Sequence, residues 1–207
     1  MENKLNLNKK ELNFFKKLNT PNKIQDYLDS IPFNHEKKGE TVMSPAKVLK
    51  EKKAHCIEGS LFAGTALWLN NIEPIIINLK VSNKKDFDHI ITIYKENNYY
   101  GAISKTNHNV LRWRDPVYKT IRELVMSYFH EYFLTTSGKK TLLGYSKPIN
   151  LKKFGEKWIT SKENLWDIAE KIYDLPITKI IPIGNEKFIR KASKTERNSA
   201  NIPEWKK

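Results

Sequence analysis

A single cysteine, Cys56, occurs in 207 residues. It excludes a disulfide framework and a zinc site built from thiolates, and it suits a reducing compartment. Glycine and proline are sparse, with 8 and 9 residues, which excludes collagen-like and low-complexity chains. No apolar run reaches the ~18 residues of a membrane-spanning helix. The opening residues MENKLNLNKKELNFF are too polar for the apolar part of a signal peptide, so the expected location is cytoplasmic. There is no Walker loop, no GxGxxG turn and no HExxH helix, so neither a cofactor nor a metal is expected.

What is present is a foldable core. Hydrophobic residues make up 39% of the chain and aromatic residues 11%, enough to exclude wholesale disorder. The length suits one domain with at most a small appendage. The formal charge is +14, with 37 basic against 23 acidic residues. An excess of this size raises the possibility of a nucleic-acid partner. Its distribution argues against one, because residues 1–55, 56–145 and 146–207 all carry part of it and no single element gathers it. Lysine outnumbers arginine, and lysine lacks the planar fork that reads bases. Nucleic acid is therefore possible but not favoured.

Apolar spacing predicts short helices over 8–19, 22–31 and 45–52, the last with Ser44 as N-cap and Pro45 at the first helical position. Residues 54–69, AHCIEGSLFAGTALWL, are apolar on nearly every side, the signature of an enclosed central helix. Residues 74–79 predict a buried strand, and 89–94 and 99–104 a hairpin. A helix is expected over 116–133, a second one capped by Ser161, and a strand within 176–182. Residues 139–186 read as a small C-terminal α/β subdomain, and the basic stretch 187–207 as a mobile tail.

Two residues carry the chemistry. Cys56 opens the enclosed helix, where free N–H groups and the helix dipole favour a thiolate. His89 opens a strand and is a candidate base for that thiol. The hairpin turn decides what lies beside His89. With Glu96-Asn97 as the turn it faces Ser104, and with Asn97-Asn98 it faces Thr106. Asn107, in the loop beyond, is a further candidate to orient the ring. His55, Glu58, Arg112, Trp113 and Arg114 are candidate substrate-binding residues, and His55, next to Cys56, is also a candidate to assist the thiolate. Glu58 in the first helical turn complements the dipole but opposes a thiolate if it points at Cys56.

A cysteine at a helix start, a histidine at a strand start and a polar residue on the next strand together resemble the transglutaminase-like superfamily, which has a papain-type core. The runs HCIEGS, DHIITIY, GAISKTNH, RWRDPVY and RELVMSYFHEYF resemble an uncharacterised microbial family within it, over residues 22–134. The resemblance implies an α+β fold, with the Cys-bearing helix packed on an antiparallel sheet and a small C-terminal subdomain added. It implies a cysteine hydrolase or acyltransferase acting on a peptide or a small amide or ester. It also implies a carboxylate where this chain has Ala102-Ile103-Ser104-Lys105, with Asp115 as a later substitute. The departure leaves open a catalytically inactive binding domain.

Overall fold

The computed structural model describes residues 4–82 and 85–206. Three short helices come first: α1 (Lys9–Lys17), α2 (Pro21–Ser30) and α3 (Pro45–Glu51). Asn8, Thr20 and Ser44 cap them, each accepting a backbone N–H of the first turn. Pro21 and Pro45 stand at first helical positions, where a missing N–H costs nothing. The chain then enters α4 (Cys56–Leu69). Trp68 and Cys56 alone among its residues escape full burial, as expected for a helix without a polar face.

The sheet is antiparallel throughout. Its strands are β1 (Ile75–Val81), β2 (His89–Glu96), β3 (Tyr99–Ile103), β4 (Arg114–Tyr118), β5 (Leu142–Ser146), β6 (Ile149–Asn150) and β7 (Ile177–Lys179). They lie in the order β4-β3-β2-β1-β5-β7, with β6 also on β1. Alternation sorts the side chains of the central strands between two faces. Ile76 and Ile90 pack with α1, α2 and α4, together with Ile168 and Ile172 of α6 (Trp166–Tyr173). Ile77, Leu79, Ile91 and Ile93 pack on the other face with Leu124 and Val125 of α5 (Ile121–Met126) and with Tyr128 and Tyr132.

Hydrogen bonds tie α4 to β2 as well. Ser60 Oγ donates to the Ile90 carbonyl at 2.8 Å, and Thr92 Oγ1 donates to the Ser60 carbonyl at 2.9 Å. Ser60 lies one turn beyond Cys56, so this pair fixes the thiol-bearing helix end against the strand that begins at His89. Gly59 permits a second close approach, since a Cβ there would lie 2.5 Å from Lys105 Cβ.

Several elements depart from their expected bounds. Residues 139–186 do not stand apart as a subdomain. They supply β5, β6 and β7 to the same sheet, and α6 to the same core. The stretch expected as a mobile tail carries α7 (Lys194–Ala200), capped by Ser193, with Ala192 and Ala200 packed on Phe133. The helix expected over 116–133 is confined to α5, because Pro116 lies in β4, an edge strand where its missing N–H breaks no ladder bond on the open side. Ser161 does not cap α6, which starts at Trp166. Among the described residues no helix is long and apolar enough to cross a membrane.

Candidate active site

The approach to Cys56 is fixed from both sides. Lys52, in the left-handed conformation (φ 52°), ends α3. Ala54 then exchanges backbone hydrogen bonds with the 32–34 segment, donating to the Pro32 carbonyl and accepting from Asn34 N–H. His55 follows as N-cap and Cys56 as the first helical residue. Cys56 remains partly open to solvent while the residues after it are buried.

His89 is buried, 6% exposed, and its Nε2 lies 2.7 Å from Ser104 Oγ. Ser104 Oγ also lies 2.5 Å from the Leu111 carbonyl oxygen, which can only accept. A hydroxyl has one proton, and it goes to Leu111. The imidazole Nε2–H must therefore donate to Ser104, leaving Nδ1 for the thiol. This is the protonation pattern a base needs: far nitrogen anchored, near nitrogen free.

The hairpin turn is Asn97-Asn98, both at positive φ, and Thr92 pairs with Ile103. Continued ladder pairing would set Thr106 opposite His89. The ladder instead ends at Ile103, and the departing chain brings Ser104 to the ring. Gln25 on α2 holds that departure. Its side-chain amide donates to the Ser104 carbonyl and accepts from the Ser104 N–H, both at 2.9 Å. Sequence reasoning missed Gln25, whose only signal is a polar side chain next to the apolar positions Ile24 and Leu28. Leu111 is fixed through its N–H to Glu131 Oε2 at 2.7 Å, and Glu131 in turn is paired with Arg114 at 2.6 Å.

Charge at the thiol follows from its two histidine neighbours. Burial opposes ionisation of Cys56, but hydrogen bonds with His55 and His89 and the charge on both rings overcome it. The thiol pKa falls to about 5. Burial likewise opposes a charge on His55. The hydrogen bond to Cys56, the charges of Cys56 and Glu58, and the Thr41 carbonyl raise its pKa to about 9.

The remaining candidates are engaged elsewhere. Asn107 donates to the Trp205 carbonyl at 3.0 Å and accepts from Trp205 N–H at 2.8 Å, so its amide anchors the C-terminal segment instead of orienting His89. Thr106 accepts from His108 N–H. Glu58 is fully buried and accepts from the backbone N–H of His55 and Met43, from Thr41 Oγ1 and from Asn34. It is not placed to meet a substrate, because a carboxylate at the third helical position folds back on the N-cap. Arg112 pairs with Glu204 at 2.6 Å, and Trp113 donates to Asp115 and stacks on Tyr94. Arg114 lies over the Tyr128 ring and pairs with Glu131. These contacts pin the end of the 104–113 loop and the start of β4. Asp88, just before His89, is held by Lys80, Asn78 and the Val81 N–H.

An open groove of about 450 Å³ runs beside the His89 end of β2, bordered by Lys80, Phe87, Asp88 and Tyr173. Phe87 is 85% exposed there. The Tyr173 hydroxyl is held protonated by burial and by the negative charges of Cys56 and Asp88. Among the described residues no group of three or more His, Cys, Asp or Glu side chains is disposed to hold a metal ion. The sequence matches no protein-family model and shows no significant match to a curated protein.

Proposed function

We propose that this chain is a cysteine hydrolase or acyltransferase with a transglutaminase-like core, with Cys56 as nucleophile and His89 as base. The observation that carries the reading is a partly open thiol at a helix start, beside a buried histidine whose far nitrogen is tied to Ser104. In this reading His89 Nδ1 takes the Cys56 thiol proton, the thiolate attacks the carbonyl carbon of a peptide or a small amide or ester, and the carbonyl electron pair moves onto oxygen. The backbone N–H of Cys56, which has no partner within its own helix, donates to that oxygen. As the intermediate collapses, His89 gives its Nδ1 proton to the leaving amine or alcohol and the C–N or C–O bond breaks. His89 then takes a proton from water or from an acceptor amine, which attacks the thioester and releases the thiolate. Ser104 orients the ring throughout.

A second reading, an inactive binding domain, is favoured by one observation: the ring partner is a neutral hydroxyl and not a carboxylate. An acyl-trapping experiment separates the two. Native protein is mixed with p-nitrophenyl acetate, and the release of nitrophenolate and the mass of the chain are followed. The catalytic reading expects a burst equal to one acetyl group per chain, carried on Cys56 and absent in Cys56→Ser. Release without a burst, equal in Cys56→Ser, would leave the binding-domain reading standing.

A further inference from the structure

We propose that His55 is a second catalytic histidine, a fixed cation that holds the Cys56 thiolate while His89 alone moves protons. The inference rests on the reading of Cys56 as a nucleophile. Its ground is a difference between the two rings that contact the thiol.

His55 is set among negative groups. Its Nε2 lies 2.9 Å from the Thr41 carbonyl oxygen, so this nitrogen carries a proton. The same nitrogen lies 3.5 Å from Glu36 Oε1 and 3.5 Å from Glu58 Oε1. Glu58 cannot withdraw, because four groups donate to it inside the protein: the N–H of His55 and Met43, the Thr41 hydroxyl and the Asn34 amide. A buried carboxylate needs a counter-charge, and His55 is the cation beside it. The hydrogen-bond partner of His89 is of another kind. The far nitrogen of this ring rests on the neutral Ser104, and His108 faces it from the loop after β3. The carboxylate expected next to His89 is thus supplied to the other histidine. His55 therefore keeps its proton across the neutral range.

The remaining groups around the thiol do not replace His55. Tyr132 and Tyr173 face Cys56, and both are held protonated by burial. Asp86 and Asp88 add their negative charge to the burial that holds Tyr132 protonated, and Asp88, Glu36 and Glu40 do the same for Tyr173.

The test is the ultraviolet absorbance of the sole thiolate against pH, with histidine ring shifts followed by NMR on the same samples. In the native chain the thiolate appears with a midpoint of about 5, and the His55 ring titrates at about 9. His55→Gln is expected to raise the thiolate midpoint by roughly 1–2 pH units. Glu36→Gln, on the partly exposed 33–43 loop, gives a smaller shift in the same direction and serves if His55→Gln does not fold. An unchanged thiolate midpoint in both variants, or a native His55 ring titrating near the ordinary value of 6.5, would overturn the proposal. A low native midpoint without acyl transfer to any ester would count against the nucleophile reading alone.

Discussion

Replacing Ser104 with Ala removes one hydroxyl that serves two partners. His89 Nε2–H loses its acceptor at 2.7 Å, and the Leu111 carbonyl loses its donor at 2.5 Å. Ser104 is 2% exposed, so water does not readily replace the hydroxyl. An unpaired buried group costs about 1–3 kcal/mol, and the variant is expected to lose stability of that order. The effect on reactivity is smaller. A neutral hydrogen bond contributes a net ~0.5–1.5 kcal/mol, which converts to about a 2- to 13-fold fall in the rate of Cys56 alkylation at neutral pH. Loss of a triad carboxylate instead costs about 10⁴-fold, because that group also stabilises the imidazolium. The assay pairs iodoacetamide kinetics with urea unfolding of the same samples. An unchanged alkylation rate in a destabilised variant would mean that the hydroxyl only fills space. A fall beyond ~10³-fold would mean that a charged group orients the ring, and the assignment of the neutral Ser104 would be wrong.

Two further outcomes follow from the packing around Lys105. Gly59→Ala sets a Cβ 2.5 Å from Lys105 Cβ, and the expected cost is about 1–3 kcal/mol of stability. An unchanged unfolding midpoint would contradict the close approach of α4 to this strand end. Lys105 itself is buried, donating from Nζ to the Leu28 and Ile31 carbonyls at the carboxyl end of α2. Burial lowers its pKa from the ordinary 10.5 to about 8, against the pull of Glu204 and Asp29. A depressed folded pKa means that stability from this residue is present above 10.5 and is lost as pH falls through about 8. Lys105→Met removes that slope. The difference in urea midpoint between native and variant protein is therefore expected to change between pH 8 and 10.5, and a constant difference would refute it.

The reach of the sequence varied along the chain for physical reasons. The helix over 54–69 was legible because unbroken apolar character on every face has one solution, burial in the middle. β1 and β2 were legible from β-branched runs. β4 was not, because Pro116 reads as a helix start or a turn, and only its place at a sheet edge makes it compatible with a strand. The placement of 139–186 could not be read locally, since β5 and β7 join the sheet across long separations in sequence. At the site, Cys56 and His89 were marked by position, at a helix start and a strand start. Their supports were legible only in part. Ser104 is expected beside His89, but through a Glu96-Asn97 turn; the turn is Asn97-Asn98, and Ser104 meets the ring because the ladder stops at Ile103. Gln25 acts from a helix 79 residues away, and Asn107 is drawn off by Trp205, 98 residues away.

The central claim is that Cys56 and His89 form a reactive pair. The most direct test is the pH dependence of Cys56 alkylation in native protein and in His89→Ala, where a single thiol gives a single signal. The account predicts a reactive thiol with a midpoint of about 5 in the native chain, moved upward in the variant. A thiol that stays unreactive until the protein unfolds, or a midpoint identical in both proteins, would contradict it.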